Sequence, residues 1–297
     1  MKRTHLTLIT SVSIAVLIAG TAISQQHRLR NHTETEAGPV SLVWANKSAG
    51  DSSVSFIQVG NSIEITGNGI PDHLVGRFPN RANPNRITEQ RVNYTIPATP
   101  KAARRITELE LGFSFGISLH GVLFDPLAAE FWRGDRRSGW SYNALGGAIG
   151  LGFDENHAHV QPTGKYHYHG LPTKLVELLD WSKNAHSPLI GYAADGFPIY
   201  AINGVVNGSV REMSSSYRLK SGNRPGGTKP TGKYDGAFNE DYEYVEGAGT
   251  LDKCNGAMTV SKEYPNGSYA YFLTEEFPMV PRCFVGTPDR SFKPRRP

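Results

Sequence analysis

The stretch DENHAHVQPTGKYHYHG, residues 154–170, fixes the reading of this chain. It carries four of the ten histidines as two His-x-His pairs, His157 with His159 and His167 with His169. Alternate residues of a strand share a face, so each pair can aim two imidazoles the same way. Between the pairs stands Gln161-Pro162-Thr163-Gly164. Pro and Thr suit the central positions of a type I turn, and Gly suits the left-handed residue that follows. That is the common three-residue hairpin loop. It predicts that Gln161 pairs with Lys165, His159 with His167, and His157 with His169. All four imidazoles then share one face, and Tyr166 and Tyr168 share the other. A loop one residue shorter or longer would put the two pairs on opposite faces.

The chemistry follows from the register. Opposed Cβ atoms of paired strands lie about 4.5–5.5 Å apart, a gap that metal–nitrogen bonds of about 2.0–2.1 Å can bridge. Four clustered imidazoles repel one another when charged, and a cation that accepts their lone pairs resolves this. The plain alternative is a wet, His-rich surface. Nitrogen donors without a nearby thiolate suit Zn, Cu, Ni or Fe, with Zn or Cu first as the expected transition-metal cofactor. The expected ligands are His159, His167 and His169, with His73, His157, His120 and Asp154 as further candidates. Asp72-His73 lies in an irregular loop, where sites are often carried, and His120 follows a predicted strand. Asp154 offers an oxygen ligand or an acceptor for an imidazole N–H. No residue is assigned a catalytic role.

Outside this segment the chain reads as exported. Lys2, Arg3 and His5 precede an apolar run diluted by Ser and Thr, and Ala22-Ile23-Ser24 is a small-x-small cleavage pattern. The expected organisation is a signal peptide over 1–24, a polar linker over 25–45, a β-rich domain over 46–285 and a basic flexible tail over 286–297. An uncleaved anchor is the alternative to cleavage, and no later run is long and apolar enough to span a membrane. The net charge of +4 and the pI near 9.0 come from the ends: Arg290, Lys293, Arg295 and Arg296 crowd the tail, and the body is near neutral. No basic stripe predicts a nucleic-acid groove. Cys254 and Cys283 are an even pair in an exported chain and are expected to form a disulfide.

Thirty-two Gly and 19 Pro favour short strands and turns over long helices. Hairpins are predicted at 54–65 around Gly60-Asn61 and at 190–201 around Asp195-Gly196. Further strands are expected at 91–96, 109–117, 242–245, 258–260 and 268–273. Asp125-Pro126 predicts a short helix to Trp132, and residues 172–183 a second, amphipathic one. The fold class is mainly β, a single sandwich- or barrel-like antiparallel domain with two or three short helices.

Familiar nucleophile and protease signatures are absent: there is no Gly-x-Ser-x-Gly and no His-Glu-x-x-His. Residues 227–233 imitate a phosphate loop, but Tyr234 stands where Ser or Thr belongs. The acidic residues between Asp235 and Asp252 lack the spacing of a calcium loop.

The segment Tyr166-His167-Tyr168-His169 resembles the name-giving motif of the YHYH domain family. Residues 68–73 (NGIPDH), 121–126 (GVLFDP), 158–164 (AHVQPTG), 191–200 (GYAADGFPIY), 240–246 (EDYEYVE) and 251–256 (LDKCNG) are similar to that family in the same order. The resemblance covers about residues 50–285. It implies an exported protein of unestablished activity, with His159, His167, His169 and His73 as the carried-over positions. The leading expectation is a metal-binding β-domain, open to hydrolysis or oxidation. The competing one is a non-catalytic cell-envelope module that binds glycan or protein, with structural histidines.

Overall fold

The computed structural model describes residues 32–293; the expected signal peptide, the first part of the expected linker and the end of the basic tail lie outside them. The strands run β1 (Val54–Val59), β2 (Ser62–Gly67), β3 (Val92–Pro97), β4 (Ala102–Glu108), β5 (Gly116–Ser118), β6 (Leu123–Phe124), β7 (Ala158–Val160), β8 (Tyr166–Tyr168) and β9 (Gly191–Ala193). They continue as β10 (Pro198–Ala201), β11 (Asn203–Val206), β12 (Ser209–Glu212), β13 (Tyr217–Leu219), β14 (Tyr242–Tyr244), β15 (Gly256–Thr259), β16 (Ser268–Leu273) and β17 (Cys283–Gly286). Helix α1 (Thr173–Leu178) is the α-helix among the described residues. The fold is mainly β, as expected, but among the described residues no sheet closes into a barrel.

The organising layer is an eight-stranded sheet in the order β15-β16-β10-β9-β5-β6-β8-β7. Most neighbours are antiparallel; β6 runs parallel to β8 and β10 parallel to β16. The strands are short because turns interrupt them. Both hairpins expected from Gly60-Asn61 and Asp195-Gly196 form, with Val59 opposite Ser62 and Pro198 opposite Tyr192. The central strands bury Ile117, Phe124, Ala193, Ile199, Tyr271 and Leu273 in one apolar cluster. A three-stranded sheet, β1-β2-β3, packs on that core through Ile65, Val92 and Ile96.

Three local expectations are corrected. Residues 109–115 are turn and loop, with strands on either side, and Phe113 N–H closes a turn on the Glu110 carbonyl at 2.9 Å. Asp125 does not cap a helix. It is buried beside Lys165, and its N–H is bonded to the Tyr168 carbonyl at 2.9 Å, prolonging the β6–β8 pairing. Two single 3-10 turns, Trp132–Gly134 and Arg136–Ser138, stand where that helix was expected to end and beyond. Helix α1 stops at Leu178 because Asp180 is left-handed, at φ 56°.

The segments flanking the domain are held more firmly than their composition suggests. Within the expected linker, Gly38 N–H is bonded to Gly146, Val43 N–H to Phe153 and Ala45 N–H to the Glu155 carboxylate. Within the expected tail, Phe292 is buried and stacks on Tyr94 at 4.6 Å. Cys254 and Cys283 are disulfide-bonded across 29 residues. By chain entropy that loop contributes about 3–4 kcal/mol. Among the described residues no helix is long and apolar enough to cross a membrane.

Candidate metal centre

The hairpin β7–β8 has the register that Pro162-Thr163-Gly164 predicts. His159 faces His167, Gln161 N–H donates to the Lys165 carbonyl at 2.9 Å, and Gly164 N–H returns to Gln161 at 2.8 Å. Gly164 needs its freedom twice over: its φ is +85°, and a Cβ there would sit 1.9 Å from Thr88 Oγ1. Strand β7 lies at the sheet edge, and the irregular loop before β3 covers it. Asn83 and Asn85 both donate side-chain N–H groups to the Val160 carbonyl, at 3.0 and 2.7 Å. The Pro- and Asn-rich stretch is thus a clamp on the edge of the hairpin.

On one face of the hairpin three imidazoles converge. His169 Nε2 lies 3.2 Å from His159 Nε2 and 2.9 Å from His167 Nε2. His167 and His169 are buried, and His159 is partly so. Phe153 stacks on His159 with ring centroids 4.7 Å apart and meets His169 edge-on at 5.1 Å. Burial holds His159 down to about 4. It also pushes His167 and His169 well below the ordinary range, with their neighbouring imidazoles adding to the effect. All three rings are therefore neutral near pH 7. The hydrogen bonds assign two tautomers: Nδ1–H of His159 donates to Leu151 at 3.0 Å, and Nδ1–H of His167 to Lys165 at 3.3 Å. Both Nε2 lone pairs then face His169.

His169 is the odd member. To sit between two lone pairs without a cation, its Nε2 must carry the proton, which leaves Nδ1 as a bare acceptor. That Nδ1 is buried and has no hydrogen-bond partner. The Pro126 carbonyl acts on the ring, but an acceptor cannot satisfy an acceptor. A cation on the three Nε2 atoms moves the proton to Nδ1, where that carbonyl becomes useful. The donor set fits a metal ion, and these three residues are the cluster of close ligand atoms among the described residues.

The opposite face carries the tyrosines. Tyr166 OH donates to Asp154 Oδ2 at 2.7 Å, and Tyr168 OH meets His73 Nε2 at 2.5 Å. Both rings are fully buried, and Phe124 packs on Tyr168. Two of the expected ligands belong to this face. His73 lies under the tyrosine face, with its Nδ1 bonded to Leu74 at 2.8 Å. Asp154 spends its oxygens on the N–H groups of Gly76 and Asn156 and on Tyr166. Neither joins the three imidazoles.

His157 and His120 also stay apart. The backbone pairs His157 with His169, as predicted, but its φ of 51° turns the side chain out of the strand pattern. Its Nδ1 bonds Leu171 at 2.8 Å. His120 pairs with Asp72 at 3.2 Å.

Beside His169 opens a cavity of about 210 Å³, lined also by Asn143, Tyr242, Phe277, Met279 and Arg282. Sequence reading missed this wall. Its residues come from distant segments, and no local pattern marks Arg282. The N-terminal segment closes one side through Ala37 and Gly38. It is tied down by Arg224, which donates to Thr35 at 2.6 Å, and by Asp235, which accepts from Ala37 N–H at 3.1 Å.

Comparison with known proteins gives one match. A family model described as YHYH protein matches residues 93–286, a span that contains the three imidazoles, the tyrosines, the disulfide and Arg282 but not His73. No curated protein and no solved structure is similar to the chain.

Proposed function

The chain belongs to the YHYH protein family, and from that premise we propose that it is a metal-binding β-domain. His159, His167 and His169 hold one transition-metal ion, zinc or copper, for chemistry on a small molecule in the adjoining cavity. The observation that carries this reading is the pair of Nε2 separations, 3.2 and 2.9 Å. Tetrahedral nitrogens about 2.0–2.1 Å from a metal stand about 3.3 Å from one another. The hairpin therefore holds its donors near coordinating distance, with the lone pairs of two already aimed inward.

Three neutral donors leave the ion's charge undiminished and a coordination position open, the condition under which zinc activates water near neutral pH. With zinc bound, that chemistry would be hydrolysis. The protein's own part is orientation and exclusion. The Leu151 and Lys165 carbonyls fix two ring planes through Nδ1–H. Phe153 covers the His159 ring and keeps water from that side. The disulfide and the leader-like residues 1–24 support a place in an oxidising compartment outside the cytoplasm.

The test is elemental analysis of protein exported with its own N-terminus. One equivalent of zinc or copper is expected, with none in a His167→Ala, His169→Ala double variant whose circular dichroism is unchanged. Copper in place of zinc would reassign the centre to oxidative chemistry. Folded wild-type protein that takes up neither metal sinks the reading.

A further inference from the structure

Two arginines stand near the cavity, and their surroundings differ sharply. Arg224 is fully buried and fully matched: it pairs with Asp241 and Asp235 and donates to the Thr35 and Thr231 carbonyls. Arg282 is partly buried, yet forms no ion pair among the described residues. Its Nη1 donates to Pro126 at 2.7 Å, its Nε is buried without an acceptor, and its guanidinium lies 5.4 Å from the centre of the Phe277 ring. Burial pushes it down to about 10. An unmatched guanidinium removed from water is costly. The nearby carboxylates are otherwise engaged: Glu240 accepts from the Ser141 N–H and hydroxyl, Asp125 meets Lys165 at 3.6 Å, and Asp235, on the cavity wall, pairs with Arg224 and two backbone N–H groups.

We propose that the cavity is a carboxylate-binding subsite, in which Arg282 receives the carboxylate of a small organic acid beside the ion held by the three histidines. This rests on the metal reading above and names its substrate class. Three observations point the same way. Arg282 and His169 line one cavity. The guanidinium has a buried donor without a partner, and a carboxylate accepts from a guanidinium fork with two oxygens. The volume, about 210 Å³, suits a small molecule.

The experiment uses the full chain loaded with Co²⁺, whose visible bands report on coordination, and acetate as the probe. First, the Co²⁺ stoichiometry decides the metal reading by itself. Second, acetate is titrated with both the cobalt bands and the acetate methyl NMR signal as readouts; the latter works on metal-free protein too. Arg282→Gln should bind Co²⁺ as the parent does but weaken acetate by about tenfold or more, the loss of one charge-assisted contact. Arg282→Lys, which keeps the charge without the fork and guards against a folding defect, should fall between.

Acetate that binds Arg282→Gln as tightly as the parent, or that fails to bind the parent, overturns the subsite. Phosphate displacing acetate at equal concentration overturns the carboxylate assignment. Loss of Co²⁺ binding with retained, Arg282-dependent acetate binding would sink the metal reading and leave the subsite standing.

Discussion

The two faces of the β7–β8 hairpin are made from alternate residues of the same short strands, and they treat polar atoms in opposite ways. On the tyrosine face each buried oxygen and nitrogen has a partner: Tyr166 with Asp154, Tyr168 with His73, and His73 with the Leu74 carbonyl. On the histidine face three nitrogens point at one another and a fourth, His169 Nδ1, has nothing. The first face is finished by folding. The second is left for something the chain does not contain. A buried polar network that is only partly satisfied is expensive, and that cost is an argument for a ligand.

The largest way to break the comparison is to cut the finished face. Asp154→Ala strands Gly76 N–H, Asn156 N–H and the Tyr166 hydroxyl. It should lower the unfolding free energy by about 3 kcal/mol or more in urea, without changing metal content per folded molecule. A loss too small to measure would mean that the tyrosine face is not a folding element.

Acid comes next, because it reaches both faces. Burial holds His73 and His159 down to about 4, whereas in the unfolded chain they titrate near 6.5. Between those values the unfolded chain takes up protons that the folded chain refuses. Metal-free protein should keep this stability above pH 6.5 and lose it as the pH falls toward 4, by up to about 1.4 kcal/mol per pH unit for each histidine. His73→Gln should remove the share of the tyrosine face. Zinc should steepen only the other share, because protonation then also expels the ion. Unfolding at pH 7, 6 and 5 checks this, and a flat profile would contradict it.

The smallest effect is expected where the sequence looks most important. His169→Leu keeps roughly the side-chain volume and removes the orphaned Nδ1, but it also takes the Nε2–H away from the His159 and His167 lone pairs, so the metal-free protein should lose no more than about 1–2 kcal/mol. Metal uptake should vanish. A large loss of stability in the absence of metal would make these histidines structural.

How much of this was legible follows from range. The hairpin register could be read because Pro162, Thr163 and Gly164 carry it within three residues. His157 was grouped with the others because alternation assumes extended backbone, and its left-handed φ breaks that assumption one residue before β7. His73 and Asp154 stand among the candidates because residue type suggests a ligand but does not say which face a distant segment will meet. The β11–β12 hairpin was overlooked although Asn207-Gly208 marks its turn. Arg282 and its cavity were beyond reach, because nothing near Cys283 tells of residues 37 and 143.

The three nitrogens lie between residues 159 and 169, whereas the cavity wall runs from Ala37 to Arg282. In a chain made from its N-terminus, these two parts are completed at different times. Closing a short hairpin costs little entropy and takes microseconds. The three candidate donors are therefore all present once residue 170 has emerged, long before Arg282 exists to receive an anion. Were the proposed ion taken up at that stage, its identity would be set by what the young chain first meets, and not only by the affinities of the finished fold.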